Sequence, residues 1–172
     1  MLKPYEKKRP EVSTSEGSRS AAYETLDSPP PLVLIATLDP DTPGRFPPGV
    51  RVLTDFPHEA VMAAWERCLF GVLPSLLPEP FGTVVCEAMS RERPVIATKP
   101  GGHTDMVVDG ETGLLVPRGD VQALADGMRV LISDAELRER LGKAARVRAG
   151  NSRPRYRSRA SSGSTKRWQC DT

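Results

Sequence analysis

The chain has 172 residues, 38% of them hydrophobic, with 17 prolines and a formal net charge of +2, which suits one ordinary domain with loose ends. No apolar run approaches the roughly 20 residues that cross a bilayer, and the charged N-terminus lacks the apolar core of a signal peptide. Three widely spaced cysteines (Cys68, Cys86, Cys170) and two distant histidines (His58, His103) argue against a disulfide framework or a metal cluster and point to the cytoplasm.

Residues 1–31 are polar, rich in Ser, Glu, Lys and Pro, and end in Pro29-Pro30-Pro31. They show no useful periodicity and are expected to be a disordered or unrelated N-terminal segment. At residue 32 the pattern changes. "LVLIAT" is a short aliphatic run typical of a buried strand, "DPDTPGRFPPG" is a turn-rich loop, and "VRVLTDF" is a second strand. Pro57 opens a helix, "PHEAVMAAWERCL", with Val61, Ala64, Trp65 and Cys68 on one stripe, most simply a core stripe. "FGVLPS" is a third strand, "FGTVVCEAMSRE" a helix, and "PVIAT" a fourth strand. The loop "KPGGHTD" and a tight turn at "DGETG" lead to a fifth strand, "LLVP".

Two helices follow. Asp120 caps the first, whose apolar stripe is Val121, Leu124, Ala125, Met128, Leu131 and Ile132. Ser133 and Glu136 form a capping box for the second, with Leu137 and Leu141 inward. Short apolar strands alternating with helices predict an α/β domain over residues 32–149, a Rossmann-like parallel sheet with helices on both faces. Residues 150–172 are expected to be a basic, disordered tail. From Asn151 onward six basic residues accompany one acid, so the tail carries +5 and the rest −3. Its arginines, with Tyr156 and Trp168, would suit a nucleic-acid arm. The body, however, is acidic and has no binding-module motif, so a solvated tail without a nucleic-acid partner is expected.

The chemistry concentrates in "PEPFGTVVCEAM". In an open parallel α/β sheet, ligands sit beyond the carboxyl ends of the strands, and "FGVLPS" delivers the chain to such an end. Glu79 lies in the loop, and Phe81-Gly82 begins a helix whose unpaired amides suit an anion such as a diphosphate. Gly82 lets a ligand approach those amides. Glu87, about one and a half turns further on, can accept hydrogen bonds from the hydroxyls of a ribose, and Glu79 from those of a sugar. The bland alternatives are a glutamate favoured by the helix dipole and a solvated helix residue. A two-carboxylate glycosidase is a further option, but it would need neither the glycine nor the helix start.

The run "LPSLLPEPFGTVVCEAMSRERPVIATKPGGHTDMVVDGETGLLVPRGDVQALADGMRVLISDAELRERLGKAARVRA" resembles the C-terminal half of family 4 (group 1) retaining glycosyltransferases of the GT-B fold. Their hallmark, two glutamates separated by seven residues with Phe-Gly two positions after the first, is matched by Glu79 to Glu87. Pro74-Ser75, Pro94-Val95-Ile96, Gly101-Gly102, Asp109-Gly110, Thr112-Gly113-Leu114 and Gly119-Asp120 also match.

The resemblance implies a single, truncated GT-B donor domain that binds a nucleotide-diphosphate sugar. Glu79 then contacts the donor sugar as the catalytic-site acid, Glu87 the ribose, and the amides around Phe81, Gly82, Thr83 and Val84 the sugar and diphosphate. Gly101, Gly102 and His103 are secondary candidates, with a plain turn as their alternative. Neither a metal nor a cofactor is implied, because the sugar nucleotide is the substrate. The sequence names no acceptor.

Several features depart from the family. The Arg and Lys that hold the donor phosphates have no counterpart here, and neither does the N-terminal acceptor-binding half. Glu92 replaces the glycine that ends the helix before Pro94, where a left-handed residue is expected. Asp105 replaces a glutamate. Two functions therefore stand: the donor half of a retaining glycosyltransferase, or a truncated, non-catalytic remnant that at most binds the sugar nucleotide. An exposed sheet edge is expected in either case.

Overall fold

The computed structural model describes residues 15–35, 45–75, 83–100 and 102–151. In chain order these form α1 (Ser15–Glu24), β1 (Leu32–Ile35), β2 (Val50–Leu53), α2 (His58–Arg67), β3 (Gly71–Leu73), α3 (Thr83–Ser90), β4 (Val95–Lys99), a 3-10 turn (Gly102–Asp105), β5 (Gly113–Pro117), α4 (Val121–Ser133) and α5 (Ala135–Asn151). Every strand pair is parallel, and the strands form two separate groups, β1-β2 and β3-β4-β5.

β4 organises the three-stranded sheet. Val95, Ile96 and Ala97 are all fully buried, as expected of a central parallel strand covered on both faces. Alternation of side chains then divides the core. Ile96 meets Leu124, Ala125, Met128 and Leu131 of α4, together with Val116, Leu141 and Ala22. Val95 and Ala97 meet Val85, Ala88 and Met89 of α3, with Val107, Ala145 and Ala149. Each fully buried leucine in these layers is worth about 1.5–3 kcal/mol.

The N-terminal segment departs from the sequence expectation. A disordered or unrelated segment was expected over residues 1–31, yet Ser15–Glu24 is a helix packed on the same face as α4. Ser18, Ser20, Ala22 and Tyr23 are buried. Arg129 of α4 donates to the carbonyl of Thr25 at 2.9 Å and so ties the end of α1 to α4. Residues 1–14 lie outside the described residues. At the other end α5 continues through Asn151, beyond the expected boundary, and residues 152–172 are not described.

The helix ends show how local chemistry sets the boundaries. Asp120 accepts from the amide of Ala123 at 2.9 Å and caps α4 as expected. The α5 cap is one residue later than the sequence reading placed it. Asp134, not Ser133, accepts from the amide of Leu137 at 2.8 Å. Ser133 instead finishes α4, and its hydroxyl donates back to the carbonyl of Arg129. Asp134 takes the capping position because α4 uses Ser133 as its last helical residue.

After α3, Glu92 adopts a left-handed backbone with φ 56°, in keeping with the glycine expected there. Its carbonyl presses against α5 at Gly142, where a Cβ would overlap it. Arg146 pairs with the Glu92 carboxylate at 3.0 Å.

Candidate functional site

The loops beyond the carboxyl ends of the strands gather three pieces of chain. β2 leads through Asp55 and Pro57 into α2, β3 leads through Pro74-Ser75 toward α3, and β4 leads through Lys99-Pro100 into the 3-10 turn. The exit from β3 is fixed to its neighbour, because the buried hydroxyl of Thr98 donates to the carbonyl of Ser75 at 2.8 Å. The exit from β4 is held from below. Arg148 of α5 donates to the carbonyls of Met106 at 2.6 Å and Asp105 at 2.9 Å.

Glu87 is the carboxylate this scaffold places. It lies on α3 with its side chain 17% exposed, and two groups from α2 meet it. The indole N–H of Trp65 donates to Oε2 at 3.4 Å. The Nδ1 of His58, whose side chain is 70% exposed, lies 3.8 Å from Oε1. One carboxylate thus joins the helix after β2 to the helix after β3. A half-buried carboxylate with an indole donor on one oxygen and an imidazole beside the other is oriented rather than free to swing. It retains lone pairs for ligand hydroxyls.

Of the other expected site residues, Thr83 and Val84 open α3 and are exposed. Gly102 and His103 fall in the 3-10 turn. Glu79, Phe81, Gly82 and Gly101 lie outside the described residues. The expected pairing of Glu79 with Glu87 around one ligand therefore falls partly outside them.

Two neighbours of the site were not singled out as such from the sequence. Trp65 was read as core, and it packs against the core layer of α3 and β4 as expected, while its indole N–H also serves Glu87. His58 carried one available signal, since it is the first residue of the helix that follows β2. Two cations also stand at this end. Lys99 pairs with Asp109 at 3.7 Å, both exposed, and Arg118 donates to the carbonyl of Pro100. Cys86 is half-buried, with its thiol 3.7 Å from the sulfur of Met106, in keeping with a packed group. Among the described residues no group of His, Cys, Asp and Glu is arranged to hold a metal ion, and no helix is long and apolar enough to cross a membrane.

Parallel strands alternating with helices are the architecture of a doubly wound α/β domain. Residues 47–148 match the family "Glycosyl transferases group 1", and the chain belongs to that family.

The capsular polysaccharide biosynthesis glycosyltransferase CapM of Staphylococcus aureus is 47% identical over 73 residues, 42% of this chain and 19% of that protein. The structure of Anabaena Alr3699/HepE in complex with UDP-glucose is similar with a TM-score of 0.57 and 30% identity, over 62% of this chain and 29% of that one. The sucrose-phosphate synthase of Thermosynechococcus elongatus is similar with a TM-score of 0.66 and 28% identity, over 82% and 38%. The chain thus spans about a fifth of the length of the curated relatives it matches. Its fold is the Rossmann-like C-terminal domain of GT-B glycosyltransferases, as the resemblance implied.

Proposed function

We propose that this chain binds a nucleoside diphosphate sugar and serves as the donor half of a retaining glycosyltransferase that moves the glycosyl group to an acceptor hydroxyl. The observation that carries the reading is the placement of Glu87. It lies on the helix that follows β3, held by Trp65 and faced by His58, about one turn inside a helix whose first residues are exposed. From there it accepts hydrogen bonds from ribose hydroxyls. The amides of Gly82, Thr83 and Val84 stabilise the diphosphate as negative charge develops on it, the kind of electrostatic assistance that dominates many transfer reactions. Phe81 belongs to the same donor-binding set, and Glu79 accepts from the sugar hydroxyls. The UDP-glucose complex of the Anabaena relative supports this donor chemistry.

The test is thermal stabilisation of the full chain by UDP-, GDP- and ADP-sugars, with the Glu87→Gln variant alongside. Stabilisation by one of these donors that is reduced in the variant is the expected result. No stabilisation by any donor would remove the reading. With an acceptor present, the anomeric configuration of the product, read by NMR, decides retention. Stabilisation without transfer would leave donor binding as the whole activity of the chain.

A further inference from the structure

Helix α2 carries the two groups that meet Glu87, yet none of its residues is fully buried. Its last turn is held by an arginine from outside the helix. Arg93, in the turn between α3 and β4, donates from Nε to the carbonyl of Trp65 at 2.9 Å and from Nη2 to the carbonyl of Glu66 at 2.6 Å. One guanidinium thus spans two successive carbonyls at a helix C-terminus, where carbonyls lack intrahelical partners and the dipole is negative. Charge-assisted bonds of this kind are roughly twice as strong as neutral ones. A second tie between the same elements is weaker. Arg91 and Glu66 lie 3.7 Å apart with side chains 35% and 60% exposed, where an ion pair contributes little.

Trp65, whose carbonyl Arg93 holds, is also the residue whose indole meets Glu87. The Cζ3–Cη2 edge of its ring rests on the sheet, where a Cβ on Gly71 would stand 3.0 Å from Cζ3. The Nε1 edge reaches Oε2 of Glu87 at 3.4 Å. N–H···O bonds usually span about 2.7–3.2 Å and fade soon beyond, so a shift of α2 by roughly half an ångström decides whether this bond exists. The bland reading of Arg93 is a helix C-cap that contributes to stability alone. Its grip on the backbone of Trp65 gives it a second consequence, at the carboxylate.

We propose that Arg93 is a positioning residue for Glu87. By fixing the backbone of Trp65 it holds the indole against the carboxylate, and so sets the affinity for the sugar nucleotide from the amino end of β4. The inference rests on the donor-binding reading of Glu87 given above. Arg93 touches no ligand in this arrangement and acts only through Trp65.

The test has an arm without ligand and an arm with it, both on the full chain. Without ligand, proton–nitrogen NMR spectra follow the Trp65 indole N–H, assigned by its loss in Trp65→Phe. That resonance is expected to move on Glu87→Gln when Arg93 is present and to stay in place on Glu87→Gln in the Arg93→Ala background. With the sugar nucleotide that stabilises the protein best, Arg93→Ala is expected to raise Kd about twofold to tenfold, the worth of one hydrogen bond. In the Trp65→Phe background the same change is expected to leave Kd where it was, which a cap acting on stability alone would not distinguish. An unchanged Kd on Arg93→Ala, or an equal rise in the Trp65→Phe background, would overturn the proposal and leave the donor reading of Glu87 intact. An indole resonance that still answers to Glu87→Gln without Arg93 would overturn it whether or not a donor binds. Binding of no donor removes the reading of Glu87, and the spectra then decide by themselves whether Arg93 positions that carboxylate. Where Arg93→Ala fails to fold, Arg93→Lys keeps the charge, loses the two-carbonyl fork and carries the same expectations.

Discussion

Trp65 and Glu87 stand 22 residues apart on different helices, and the indole N–H of the first meets a carboxylate oxygen of the second at 3.4 Å. The tryptophan also packs against the bare Cα of Gly71 at the start of β3. It therefore links the position of the site carboxylate to the sheet itself. Trp65→Phe keeps most of the packing and removes the donor. The expected outcome is a loss of about 0.5–1.5 kcal/mol of donor affinity, read by calorimetric titration with the sugar nucleotide that stabilises the protein best. Glu87→Gln is expected to cost more, and an unchanged affinity in both variants would separate this carboxylate from ligand binding.

Glu92 and Gly142 make a matched pair. The left-handed residue follows α3, and its carbonyl sits where any side chain at position 142 of α5 would collide with it. Glu92→Gly relieves the backbone and is expected to gain about 1 kcal/mol, because the exposed ion pair with Arg146 that it gives up is worth little. Gly142→Ala is expected to lose about 1–3 kcal/mol through overpacking. Urea unfolding of both variants measures the two signs together.

The caps give a contrast one residue apart. Asp134→Ala is expected to cost about 1 kcal/mol, since it removes the acceptor for the Leu137 amide. Ser133→Ala, which loses only a back-bonded hydroxyl, should stay within about 0.5 kcal/mol. Equal costs from the two would contradict the cap assignment.

Burial pushes the Cys68 thiol above its ordinary range, with the nearby charge of Arg93 opposing the shift. The thiolate is the reactive form. Cys68 should therefore react with iodoacetamide more slowly at neutral pH than the same residue in denaturant, with its reactivity rising only on the alkaline side. Rates followed by mass spectrometry from pH 7 to pH 10 read this directly, and fast neutral labelling of the folded chain would refute it.

Much of the α/β frame was legible in the sequence, for reasons that particular residues explain. β4 announces itself because Val95, Ile96 and Ala97 are apolar in succession and buried on both faces. α4 does so because its stripe of Leu124, Met128 and Leu131 repeats at helical spacing. α1 was hidden because it buries Ser18, Ser20 and Ala22, small residues that leave no aliphatic stripe to find. In the site, Glu87 could be placed from its offset to Phe-Gly. Its partners on α2 could not, because the approach of Trp65 and His58 depends on how two helices pack. The capping error came from reading Ser133 by pattern, when the length of α4 decides which residue is left to cap.

Helix α1 also bears on how this domain can be cut. The family match begins at residue 47, and a fragment trimmed to that match would discard Ala22 and Tyr23 along with β1. Ile96, Leu124 and Met128 would then lose part of their cover on one side, and Arg129 its acceptor at Thr25. Such a fragment would retain every matched position and still be a poorer protein. For crystallisation or ligand screening, the N-terminal trimming limit lies ahead of Ser15.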